Sequence, residues 1–145
     1  MTTTVRLLLL LVLAGLSLGA CTPVIRESHP TTLAGTAWRV VAINGRPPVA
    51  GSEPTTSFAA AEVKGSAGCN SYGGRYAYDP SSGTIDFGDL AMTKMACADP
   101  GRNDVEALFT QTIAQVTTAS IDPEGRLVLA GPGGEIVLAV DAIPS

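Results

Sequence analysis

The sequence predicts an α+β domain that is mostly antiparallel β, with a sheet packed against one helix. Three observations predict it. Short segments of alternating polarity recur along the chain, separated by clusters of Gly, Pro, Asn and Asp. Only the stretch around residues 102–116 repeats its apolar residues at helical spacing. Two cleanly alternating segments follow it, joined by Gly131-Pro132-Gly133-Gly134. The chain has 145 residues and 46% hydrophobic content, enough for one domain.

The first element is not part of the fold. Arg6 precedes an apolar run from Leu7 to Gly15, and the segment ends Leu18-Gly19-Ala20-Cys21. A short positive start, a brief apolar run and small residues at its end are the pattern of a secretory signal, residues 1–20. The ending resembles a bacterial lipobox, which implies that the Cys21 thiol is acylated and becomes the first residue of the mature chain. Several acyl chains together anchor a protein stably. Loss of Arg6 makes the mature chain one unit more negative than the formal −4 of the full sequence. Residues 21–32, with Pro23, His29 and Pro30 and no periodicity, read as a tether in which His29 is solvated. The domain is expected over 33–143.

Thr36 to Ile43 alternates, with Trp38, Val40 and Ala42 on one face and Val41 and Ile43 on the other; Trp38 reads as core. Asn44-Gly45 is a turn signal, extended by Arg46-Pro47-Pro48. Thr55 to Ala61 and Glu62 to Gly65 are short strand candidates, weakly specified by their alanines. Gly73 to Asp79 places Tyr76 and Tyr78 on one face. Pro80-Ser81-Ser82-Gly83 turns the chain into Thr84 to Phe87, where Ile85 and Phe87 share a face. In the helix, expected over Arg102–Val116, Asn103 stands as cap with Glu106 three residues on, and Asp104 and Glu106 suit the first turn. Val105, Leu108, Phe109, Ile113 and Val116 form its apolar stripe. Asp122-Pro123-Glu124-Gly125 turns into Arg126–Ala130 and then Glu135–Val140. The sheet therefore counts seven or so strands.

Composition excludes several functions. Only Lys64 and Lys94 are lysines, the pI is about 4.8 and there is no basic cluster, so no face suits a phosphate backbone. A single histidine leaves no multi-histidine metal site and no ordinary histidine-based triad. Of three cysteines, the lipidated one leaves Cys69 and Cys97, and in an oxidising envelope two leftover cysteines read as one disulfide. The alternative is a redox pair or, with Met92 and Met95, a copper(I) site of soft ligands.

The most distinctive stretches are Gly65-Ser66-Ala67-Gly68-Cys69-Asn70 with Tyr72-Gly73-Gly74-Arg75-Tyr76, and Leu90-Ala91-Met92-Thr93-Lys94-Met95-Ala96-Cys97. Together with Trp38, Asn44-Gly45, the helix and the two closing strands, they resemble the META-domain family, whose bacterial members include heat-inducible envelope lipoproteins. The resemblance covers nearly all of residues 33–140. It departs at Phe58–Ala61, where the family is usually more apolar. It implies an antiparallel half-barrel against a helix, an association with envelope stress, and no catalytic residues to carry over.

The glycines around Cys69 allow positive φ and close backbone approach. They lack the strand-to-helix context and the Gly-Lys-Ser/Thr of a phosphate loop. Asp86 and Asp89, flanking Phe87-Gly88, are a conceivable acid–base pair, but acidic residues beside Gly at a strand exit are ordinary turn formers. The expectation is a lipid-anchored, non-enzymatic, monomeric envelope protein, held to the membrane through Cys21, without cofactor, catalytic residues or metal. Its role is structural or ligand-binding in stress tolerance; the alternatives are thiol-redox or copper handling through Cys69 and Cys97, and a small-molecule carrier. Thr22 is not the Asp that retains many Gram-negative lipoproteins at the inner membrane, so the outer membrane's periplasmic face is expected there, and otherwise the outer face of the cell membrane.

Overall fold

The structure, a computed structural model, describes residues 28–141. The leader, Cys21 and the first part of the expected tether lie outside the described residues. Nine strands and one helix follow in order: β1 Thr36–Ile43, β2 Thr55–Phe58, β3 Glu62–Ser66, β4 Ser71–Asp79, β5 Thr84–Phe87, β6 Ala91–Met92, α1 Pro100–Ile113, β7 Thr118–Ile121, β8 Leu127–Gly131 and β9 Gly134–Val140. No helix of the described residues is long and apolar enough to cross a membrane.

All pairings are antiparallel. The order β3-β2-β1-β9-β8-β7-β5-β4 returns to β3 through a β3–β4 pairing, so eight strands close a barrel and β6 adds to the free part of β4. The sheet is thus more closed than the half-barrel expected. The α+β class, dominated by antiparallel strands, holds. Among the described residues, closure leaves no long unpaired edge to recruit another chain. Its narrowest seam is β5–β7, one Cα pair at Thr84 and Thr118, with Ile85 N donating to Thr117 O at 3.0 Å and Ala119 N to Gly83 O at 2.8 Å.

Residues 28–32, read as the end of the tether, lie across this seam. Ser28 bridges Ile121 on β7, and the Tyr78 hydroxyl on β4 donates to Pro30 O at 2.7 Å. His29 is exposed, yet its ring covers Gly83, where a Cβ would collide with it. Leu33 follows into the core, 1% exposed.

Alternate residues along the strands point inward and fill the barrel, as expected for eight strands. Leu127, Leu129, Ile136 and Leu138 are all fully buried, with Val40, Val63 and Ile85 beside them. Trp38 is core, its Nε1 donating to Thr36 Oγ1 at 2.7 Å. In β1 a register shift between Val40 and Ala42 corrects the expected faces. This β-bulge absorbs one residue, so Ile43 joins Trp38 and Val40 inside.

Asn44 and Gly45, both at positive φ, make the two-residue turn that the sequence signals. The Asn44 side chain then reaches the β8–β9 turn, accepting from Glu135 N at 2.8 Å. The alanine-rich stretch ends β2 early: Ala59–Ala61 is a turn, with Ala59 N donating to Glu62 O at 2.8 Å. Phe58 itself is buried against Tyr76 and Phe87.

The helix covers one end of the barrel. Its cap is Asp99, which accepts from Gly101 N at 2.8 Å, with Pro100 opening the first turn. The expected Asn103/Glu106 capping box is therefore not formed, and the first turn carries no acidic residue. Asp before Pro is the stronger start: the carboxylate caps, and Pro spends no needed N–H. Val105, Phe109 and Ile113 face inward as the stripe predicts, with Leu108 partly buried.

Candidate functional site

At the helix-covered end, three elements meet: the β3–β4 turn 67–70, the segment 93–97 after β6, and α1. Each carries part of what the sequence singled out. Gly68, at φ 117, lets the turn pass beneath Ser52 and Val105 and delivers Cys69 toward Cys97. The two cysteines form a disulfide across 28 positions, with Cα atoms 6.1 Å apart.

Asn70 is the organising residue. It is 4% exposed, and both ends of its side-chain amide are fully used. Oδ1 accepts from Met95 N at 2.7 Å and from Thr93 Oγ1 at 2.9 Å. Nδ2 donates to Glu106 Oε1 at 2.9 Å and to Met95 O at 3.2 Å. Its backbone N donates to Glu106 Oε2 at 2.6 Å, and its backbone O accepts from Ala67 N at 2.7 Å. Thr93 Oγ1 also accepts from Ser71 N at 3.1 Å, and Thr93 N donates to Ser71 O at 3.0 Å. The Gly-Cys-Asn and Thr-x-Met-x-Cys motifs are thus two halves of one clamp.

Sequence reasoning missed Glu106 in this role, assigning it to helix capping. Its carboxylate accepts from both the backbone N and the Nδ2 of Asn70, and one of its oxygens lies within 4.8 Å of both sulfurs of the disulfide. All three residues are half-buried. Of the two methionines, Met92 packs against the core and lines the space beneath the helix, while Met95 gives its backbone N and O to Asn70 and is itself 61% exposed. Asp86 and Asp89 are both exposed, Asp86 in β5 and Asp89 in the loop beyond it.

Beside the clamp, a cavity of about 380 Å³ lies between α1 and the strand ends. Tyr72, Phe87, Leu90, Met92, Phe109 and Ile113 wall it, with Asp89 and Thr110 also in its lining. Tyr72 and Phe109 lie tilted against each other, with ring centres 5.4 Å apart. The Tyr72 hydroxyl is turned away into the barrel, 2.8 Å from Thr56 Oγ1 and donating to Thr55 O at 3.1 Å. Burial pushes its pKa well above the ordinary tyrosine range. The cavity is therefore aromatic and aliphatic in its depth and polar at its rim.

The META domain family matches residues 31–142. The chain belongs to the META domain family, and the closed barrel, the clamp and the capping helix are the structure of its META domain; membership supports an envelope-associated protein. Two solved structures share the fold. One, an NMR structure of a protein from Burkholderia xenovorans, has 23% identity, covers 84% of this chain and 95% of its own, and superposes with a TM-score of 0.62. Another NMR structure has 25% identity, coverage of 74% and 91% respectively, and a TM-score of 0.59. No curated protein matches the chain.

Proposed function

We propose that this protein is a lipid-anchored, non-enzymatic component of the bacterial envelope, acylated at Cys21, whose META domain acts as a structural or ligand-binding module in stress tolerance. One observation carries the non-enzymatic reading. The distinctive polar groups of the motifs are spent on one another: Asn70 has no free donor or acceptor, its donors occupy the Glu106 carboxylate, and the cysteines are bonded to each other. A catalytic group needs a free lone pair or proton aimed at a substrate. The anchor reading rests on Leu18-Gly19-Ala20-Cys21 behind an apolar run.

Fractionation of cells making Cys21→Ser tests the anchor. The acyl acceptor is gone, so precursor with its signal uncut should accumulate without acyl label. Acyl-labelled, normally processed protein from this variant would refute it. Within the ligand-binding option, the cavity beneath α1 favours a small apolar molecule, since such sites are concave and mostly apolar with few polar groups. Native mass spectrometry of protein purified from envelope would then find a bound apolar compound; protein that is consistently empty would leave the structural role.

A further inference from the structure

The clamp holds more than a disulfide needs. A bridge requires two sulfurs; here a carboxylate oxygen completes a triangle with them, every edge within 4.8 Å. We propose that reduction of Cys69–Cys97 turns this clamp into a binding site for a zinc-like divalent cation, with the two thiolates and the Glu106 carboxylate as ligands. This goes beyond the envelope role above and does not depend on the anchor.

Three arguments support it. The first is distance. A tetrahedral zinc ion takes bonds of about 2.0–2.3 Å to oxygen and sulfur, so its ligand atoms sit roughly 3.5–4 Å apart. Breaking the S–S bond lets the sulfurs separate toward that spacing without backbone movement, since the Cα atoms are already 6.1 Å apart.

The second is a set of hydrogen bonds that does not involve the sulfurs. Asn70 ties its turn to Thr93 and Met95 through its side chain, and to Glu106 through Nδ2 and its backbone N. None of these bonds needs the disulfide. They keep the cysteines adjacent and fix the carboxylate in the way that outer hydrogen bonds fix a metal ligand.

The third is charge. Among the described residues Glu106 takes part in no ion pair, the salt bridges being those of Arg126 with Asp122 and Glu124. Deprotonating two thiols beside it puts three negative groups together, which a dication relieves. The hard carboxylate favours a borderline ion of the zinc type over copper(I), whose preference is for thiolate and thioether. Half-burial of all three residues leaves the fourth position to water.

The chemistry balances. A dithiol reductant gives two electrons and two protons to the disulfide and becomes a disulfide itself. The two thiols then release their protons to solvent as the cation binds.

The test uses the full chain with Cys21→Ser in detergent, so that only two thiols are present. Reduced with a phosphine, it should take up one Zn²⁺ per chain in competition with a chromophoric chelator. The oxidised chain should take up none, and Glu106→Gln should bind at least about tenfold more weakly. Zn²⁺ should also slow alkylation of both cysteines in the reduced chain, a readout that needs no further variant. If the reduced chain unfolds alone, Zn²⁺ should restore its circular dichroism. A reduced chain that binds no stoichiometric zinc, is not protected by it, or binds equally with Glu106→Gln would overturn the proposal.

Discussion

Asn70 offers two amide donors and one carbonyl acceptor with two lone pairs, and the fold uses all four positions. Shape alone cannot replace it. Asn70→Ala should lower stability by about 2–4 kcal/mol, because several groups lose a partner in a buried place. Asn70→Asp is the sharper variant. It is isosteric but sets a carboxylate oxygen where Nδ2 now donates to Glu106. Two carboxylates in contact raise the folded-state pKa of one of them. Asn70→Asp should therefore be weakest relative to wild type at neutral pH and recover as pH falls through that raised value. Urea midpoints at neutral and mildly acidic pH check the sign, and a deficit that is the same at both would contradict it. Tyr72 gives a second prediction at this scale. Burial, only partly offset by its hydrogen bond with Thr56, raises its pKa. The stability tied to its neutral form is complete below the ordinary tyrosine pKa of about 10 and is lost as pH rises above it. Ultraviolet titration should show fewer than three tyrosinates until the protein unfolds.

The helix is the element that turns an open-ended barrel into a sealed one. Phe109, fully buried, sits at the centre of its inward stripe and against Tyr72. Phe109→Ala should cost about 3–5 kcal/mol in chemical denaturation, and a loss below about 1 kcal/mol would place the ring outside the core. The cap is separately testable: Asp99→Ala should cost about 1 kcal/mol, while Asn103→Ala, outside the cap and exposed, should stay within about 0.5 kcal/mol. Gly131 marks where the turn leaving α1 meets the sheet, since a Cβ there would overlap Gln115 O.

These elements also show what the sequence makes legible. The bounds of Thr36–Ile43 and Thr84–Phe87 are readable, because alternation and flanking turns mark them, although the inward face of the first changes at its bulge. The helix stripe is legible for the same reason, its period being carried by large side chains. β6 is two residues long, held by β4 some twenty positions back, and β7 is four residues paired with the next strand; neither is long enough to carry a pattern of its own. The bulge in β1 is invisible because it depends on what β9 does. At the clamp, the cysteines are legible from their count and the glycines from their backbone freedom. Glu106 is not, because a carboxylate that crosses 36 positions to Asn70 leaves no local signal. Barrel closure is likewise a long-range property, set by β1 meeting β9 and by the short β5–β7 seam.

At the scale of the whole molecule, the two motifs form an internal clamp whose covalent part is the disulfide. Closing a loop of 28 positions should stabilise the fold by about 3–4 kcal/mol on the chain-entropy estimate. That is a large share of the 5–15 kcal/mol that holds a domain together. The bridge also fastens residues 93–97, which have no strand pairing of their own, to the barrel. The most direct test is the denaturation of Cys69→Ser, Cys97→Ser and the double variant in chains carrying Cys21→Ser, under oxidising conditions. Each single variant should lose a similar amount, and the double should be no worse than either, as one shared bond requires. Losses that add, or two free thiols on alkylation of the native protein, would contradict the account.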